Sequence, residues 1–242
     1  MKRSRTKVAV ALGVVAGVIE PWSVQLALAR TDGGARNQNV ISDMDGVFAY
    51  SSFGNLTPKS GMCELLATSF QNATGTVQNE TGIFSCNGWS IGGADGFCSG
   101  GPKKYFEGTD FSSGRTYRKC VEMGAAAGST NYTMQTYRTG LTFDGSDNMN
   151  SYVAGAFGGS ISHYFPSDGT PKIWYGLEVA YNGTPFPCDT SWKGSGSWSS
   201  IEYRKRSTGA WTTIPTPDTF SSSPPCVTLT TFNSSGAFSA SH

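Results

Sequence analysis

Carboxylates carry most of the chemistry open to this chain, because histidine is nearly absent. His163 and His242 are the only two, and His242 closes the chain. A Ser-His-Asp hydrolase would need His163 as its near-neutral base. No G-x-S-x-G elbow and no H-E-x-x-H pair accompanies it. His163 sits between Ser162 and Tyr164 in a strand-like run, where a structural role is the expected one. Glycoside hydrolysis needs two carboxyl groups facing each other across a sugar-sized cleft. Glu178 is the first candidate, since it shares a strand face with Trp174 and an aromatic platform then stands beside an acid. Glu122 and Glu202 are the candidate partners. The competing reading puts Glu178 on an ordinary solvated face, and the chain leans toward having no catalytic residue.

Metal and aromatic signals are thinner. Asp144, Asp147, Asn148 and Asn150 crowd oxygen ligands as a hard cation requires. Neither EF-hand spacing nor a closing Glu is present, so a plain turn is expected and calcium is the one cofactor candidate. No Cys-x-x-Cys or Cys/His cluster suggests zinc. Trp89, Trp192 and Trp198 lie in Gly/Ser-rich surroundings, Trp192 and Trp198 flanking the run Lys193–Ser197. Rings in such loops can stack on sugars while Asn and Asp bind hydroxyls, against the usual role of large aromatics as core. Trp174 and Trp211 are expected to pack.

The compartment follows from the first 29 residues. Lys2, Arg3, Arg5 and Lys7 precede an uncharged apolar run from Val8 to Ile19, and Ala27-Leu28-Ala29 follows. That order reads as a secretory signal peptide, too short in its apolar part to span a bilayer. Four of the 18 basic and one of the 17 acidic residues lie there, so the remainder carries 14 against 16. A net charge of −2 gives no footprint for nucleic acid, and no second apolar segment is long enough for a membrane span. Cys63, Cys86, Cys98, Cys120, Cys188 and Cys226 all follow the leader and read as three disulfides. Six cysteines allow 15 pairings and the sequence alone does not choose among them; the preferred set is Cys86 with Cys98, closing the Gly-rich loop, and Cys188 with Cys226, which leaves Cys63 with Cys120. Asn-x-Ser/Thr acceptors at Asn55, Asn72, Asn79, Asn131, Asn182 and Asn233 are expected at the surface.

These residues need a scaffold of strands. Charged residues make up 14% and aromatics 12% of a chain rich in Gly, Ser, Thr and Asn, a balance that suits β structure. Lys172–Asn182 alternates cleanly, with Ile173, Tyr175, Leu177, Val179 and Tyr181 on one face. Only Met62–Ala67 offers a short helix as a rival to a strand. Two strand-like runs around Ser207-Thr208-Gly209 form a hairpin signature. Over residues 201–214 it resembles hairpins of immunoglobulin-like and fibronectin type III modules. The expectation is an all-β, antiparallel, disulfide-braced β-sandwich, of jelly-roll or immunoglobulin-like type. Residues 30–46 read as a polar arm, 47–232 as one sandwich domain and 233–242 as a tail.

The function expected from these features is a secreted, extracellular or periplasmic binding or surface protein without catalysis. Its expected partner is a glycan or cell-surface polysaccharide held by Trp89, Trp192 and Trp198. A jelly-roll glycoside hydrolase using Glu178, or an adhesive matrix protein, is the alternative.

Overall fold

The computed structural model describes residues 29–36, 43–111, 117–141, 147–163, 171–183, 186–214, 218–221, 226–230 and 236–242. Every element among them is a strand. In chain order these are β1 (Ala29–Arg36), β2 (Gly46–Thr57), β3 (Met62–Gln71), β4 (Val77–Asn87), β5 (Ser90–Gly93) and β6 (Gly96–Ser99). Next come β7 (Lys103–Asp110), β8 (Tyr117–Ala125), β9 (Tyr132–Leu141), β10 (Asp147–Val153), β11 (Ala156–His163) and β12 (Lys172–Tyr181). The last are β13 (Lys193–Arg204), β14 (Trp211–Thr213), β15 (Asp218–Ser221), β16 (Thr228–Leu229) and β17 (Phe238–Ser241).

Two antiparallel sheets form a sandwich. One has the order β15-β1-β12-β3-β4-β7-β8; the other runs β11-β10-β9-β2-β13-β17-β16, with β14 also paired to β13. The hairpin β5-β6 forms a third, two-stranded sheet. Apolar side chains of period two fill the space between the large sheets. Met62, Leu66, Phe70, Tyr175, Leu177 and Val179 from the first meet Val47, Ala49, Met134, Met149 and Ile201 from the second. The alternation expected for 172–182 is the one observed, with Ile173, Tyr175, Leu177 and Val179 all buried in this core.

Several expectations change. Met62–Ala67 is a strand, because β3 lies between β12 and β4 and hydrogen-bonding on both sides overrides its helix-forming residues. The polar segment from residue 30 is no loose arm through its first half. As β1 it pairs with β12 over its whole length and with β15. Residues 238–241 of the expected tail pair with β13 as β17. Asn72 and Asn79 are 1% and 0% exposed, and Asn79 donates from Nδ2 to the Met149 carbonyl, 2.9 Å away. Neither is a surface acceptor, whereas Asn55, Asn131 and Asn182 are exposed.

All six cysteines are paired, but only Cys188–Cys226 follows the preferred set. Strand register decides the other two. Cys63 and Cys86 stand directly opposite each other on β3 and β4, Cα atoms 4.1 Å apart, so they bond. Cys98 of the hairpin reaches Cys120 on β8 instead. Those four cysteines, with Leu65, Phe84, Ile91 and Tyr105, make a second apolar cluster on the outer side of the seven-stranded sheet. Three disulfides suit an oxidising compartment. No helix among the described residues is long and apolar enough to cross a membrane.

Candidate active site

The outer face of the seven-stranded sheet gathers carboxylates that the sequence does not place together. Along β4, Gln78, Glu80, Gly82 and Phe84 alternate onto this face; along β7, Tyr105 and Glu107 do so. Register sets Glu80 opposite Glu107 and Gly82 opposite Tyr105. On β3 the same face carries Leu65, Ala67, Ser69 and Gln71, and on β12 it carries Trp174, Gly176 and Glu178.

Glu80 and Glu107 are 4% and 6% exposed, and Glu178 is 9% exposed. Buried carboxylates of this kind must find donors. The Tyr105 hydroxyl donates to Glu80 Oε1 in a short hydrogen bond. Gln78 Nε2 donates to Glu80 Oε2 at 2.7 Å, and Gln71 Nε2 donates to Gln78 Oε1 at 3.1 Å. Glu107 instead takes a charged partner, Arg118, whose Nε lies 2.6 Å from Oε1. Burial pushes the Tyr105 phenol well above its ordinary pKa, and the charges of Glu80, Glu178 and Glu107 push it the same way. Tyr105 therefore keeps its proton and remains a donor at any ordinary pH.

Small residues make room for this network. Gly176, Ala67 and Gly82 line up across β12, β3 and β4 in the row that ends at Tyr105. A Cβ added at Gly82 would collide with the Leu66 carbonyl oxygen and lie 2.8 Å from Tyr105 Cε1, so the phenol ring occupies the space that glycine leaves. At Gly176 an added Cβ would sit 2.9 Å from the Trp174 ring. The result is a buried row of small residues across the strands, closed by the Tyr105 and Trp174 rings. Half-buried Trp174, Gln71 and Gln78 lie along one side, and Glu178 on the other.

The arrangement can do acid–base chemistry. Two neutral donors fix the Glu80 carboxylate plane without cancelling its charge, as a general base acting on water requires. The half-buried Gln71 and Gln78 amides beside it carry N–H groups that can stabilise oxygen that gains negative charge. Glu107 is ion-paired with Arg118 at the side of this network.

The residues singled out from the sequence are scattered by comparison. Glu178 lies on this face. Glu122 is at its edge on β8, ion-paired to Lys103 at 2.6 Å and accepting from the Ser99 backbone at 2.8 Å; those bonds hold its carboxyl below the usual range. Glu202 is on the other sheet, opposite Phe48, so it cannot share a cleft with Glu178. Trp192 and Trp198 are each 1% exposed. Trp192 stacks on His242 at 3.7 Å and Trp198 on Phe238 at 4.8 Å, so both rings pack the core and offer no face to a ligand. Trp89 is half-buried against the second apolar cluster. Of the calcium candidates, Asp144 lies outside the described residues. Asp147, Asn148 and Asn150 belong to β10 rather than to one loop, where Asn150 donates to the Tyr152 hydroxyl at 3.3 Å. No cluster of three His, Cys, Asp or Glu suited to a metal occurs among the described residues.

No protein-family model matches the chain, and no curated protein matches its sequence. Solved structures do match its fold. Scytalido-glutamic peptidase with a transition-state analog inhibitor superposes with a TM-score of 0.50 at 13% identity, covering 88% of this chain and 98% of that one. Bacillus licheniformis beta-glucanase gives a TM-score of 0.36 at 16% identity, covering 71% and 70%. At such identity the first likeness is one of fold, a two-sheet β-sandwich.

Proposed function

We propose that this protein is a secreted, carboxylate-dependent hydrolase of peptide bonds, with Glu80 as the acid–base residue. The observation that carries the reading is the gathering of Glu80, Glu107 and Glu178 around the buried phenol of Tyr105 on one sheet face. Paired carboxylates next to fixed neutral donors are costly to bury for structure alone. The peptide as substrate draws on two further points. Half-buried Trp174 offers an apolar ring beside the carboxylates, and half-buried Gln71 and Gln78 offer amides that match the backbone groups of an extended chain. A glutamic peptidase shares the fold at the TM-score given above, and fold alone does not fix chemistry. Glu80 takes a proton from water as the water attacks the carbonyl, Gln78 and Tyr105 hold the carboxylate, and the proton passes to the leaving amine.

The test is hydrolysis of a fluorogenic casein by the oxidised protein between pH 3 and pH 7, with Glu80→Gln alongside. Loss of one acid–base group costs roughly 100-fold or more in kcat. A wild type that cleaves no peptide bond rejects the reading; release of reducing ends from polysaccharide would move it to a glycosidase using the same face.

A glycan partner is the second reading. Of the rings expected to serve it, Trp192 and Trp198 are in the core and Trp89 is half-buried. The observation that favours it is a different set of aromatics, accessible and on the opposite sheet.

A further inference from the structure

Six aromatic side chains form a continuous row across the outer face of the eight-stranded sheet. The row runs from Trp211 on β14 through Phe48 and Tyr50 on β2, Tyr137 on β9 and Tyr152 on β10 to Phe157 on β11. Ring centroids are 5.8 Å apart for Phe48 and Trp211, 6.1 Å for Tyr137 and Trp211, 5.5 Å for Tyr137 and Tyr152, and 5.7 Å for Tyr152 and Phe157. Phe48 and Tyr50 meet edge-on at 5.2 Å. Tyr50 is 40% and Phe157 57% exposed, so the row is open to solvent rather than roofed. Three ring-to-ring steps of about 6 Å each carry it from Trp211 through Tyr137 and Tyr152 to Phe157.

Its chemistry is mixed in a specific way. Polar side chains alternate with the rings along the same face: Glu202 opposite Phe48, Asn150 opposite Tyr137, and Gln135 opposite Tyr152. Asn150 Oδ1 is buried without a hydrogen-bond partner, one residue pair from the stacked Tyr137 and Tyr152 rings. A cation on the face, Arg204, packs 5.2 Å from the Tyr137 ring and is already paired with Asp45. The row is therefore apolar in its ring faces and supplied with donors and acceptors at its margins. A long anion finds no unpaired positive row here, and a protein partner would be met by more continuous apolar area. A pyranose chain presents apolar C–H faces and equatorial hydroxyls, and a β-1,4 linkage keeps it extended with sugars repeating at a comparable interval.

We infer that this aromatic row binds an extended, uncharged β-1,4-linked polysaccharide, holding the protein on a glycan surface while the opposite sheet stays free. The inference does not rest on the hydrolytic site. Glu80 lies on the other sheet, so either idea can fail alone.

The experiment is co-sedimentation of the oxidised protein with swollen cellulose and with chitin in high salt. Wild type and Glu80→Gln should be retained equally. A Tyr50→Ala/Phe157→Ala double variant, changed only at exposed positions, should be retained at least tenfold less strongly, and Tyr137→Ala should weaken retention as well. Absence of retention by either polysaccharide overturns the inference, as does retention unchanged in the double variant. Concentration-dependent dimerisation that the same double variant abolishes, seen by sedimentation velocity without polysaccharide, would also overturn it and give the face to a second copy of this chain.

Discussion

Replacing Glu64 by glutamine should change how stability depends on pH. Glu64 projects into the sandwich core between Met62 and Leu66 and is fully buried. Neither of its oxygens makes a hydrogen bond of normal geometry, although the Thr57 backbone lies near enough to oppose the effect of burial slightly. Burial therefore raises its pKa from 4.5 to about 9. In that interval the folded chain holds a proton that the unfolded chain has released. Folding stability is then fully present below pH 4.5 and falls as pH rises toward 9. Each pH unit inside the interval is worth about 1.4 kcal/mol. Between pH 5 and pH 7 the loss from this one group is about 3 kcal/mol, a large part of the roughly 5–15 kcal/mol that holds a domain folded. Glutamine keeps the shape and cannot titrate. Urea unfolding of the oxidised protein, followed by tryptophan fluorescence at pH 5, 6 and 7, gives the comparison. The stability of Glu64→Gln relative to wild type should rise by about 3 kcal/mol from pH 5 to pH 7. Parallel pH profiles for the two proteins would refute the reasoning, since Glu64 would then have to be ionised and solvated in the native state.

Other expectations follow from the packing. Peptide mapping under non-reducing conditions should recover Cys63–Cys86 and Cys98–Cys120 as pairs. Recovery of Cys86–Cys98 would contradict the β3-β4 register. Replacing both Cys98 and Cys120 by serine should lower stability by about 3 kcal/mol for a loop of this length, measured by the same urea titration. Trp198→Ala should cost roughly 3–5 kcal/mol as a core truncation; an unchanged melting profile would mean the indole is not packed as described. Gly82→Ala should abolish hydrolysis or folding because the added Cβ meets Leu66 and Tyr105, and a fully active Gly82→Ala would show this row to be packed less tightly than its contacts require.

How much of this was legible in the sequence depends on whether the signal was periodic or relational. The faces of β12 were readable because five apolar residues alternate without interruption. The strand β3 was ambiguous, since Met, Leu and Ala favour helix locally and only pairing on both sides settles the matter. The tryptophans were misread for a physical reason. Gly194, Gly196 and Trp198 share the inner face of β13, with the serines between them facing outward. A Cβ at Gly196 would collide with Leu66 Cδ2, and one at Gly194 would lie 3.2 Å from Leu177. Those glycines mark tight core packing rather than a ligand-binding loop. Glu80 and Glu107 escape a sequence reading because each sits in a strand of mixed polar and apolar residues with no motif around it. The available signal was the two-residue spacing of Gln78 with Glu80 and of Tyr105 with Glu107, which puts polar groups on one face of each strand. Nothing short of the β4-β7 register brings those two faces together.

Glu80→Gln is the measurement that bears most directly on the hydrolytic role. Purified wild type and variant would be compared for kcat on a fluorogenic casein across pH 3 to pH 7, with near-UV circular dichroism to confirm an unchanged fold. The account predicts peptide-bond cleavage by the wild type and a loss of roughly 100-fold or more in the variant. A folded Glu80→Gln protein that cleaves as fast as wild type, or a wild type that leaves every peptide bond intact, would contradict it.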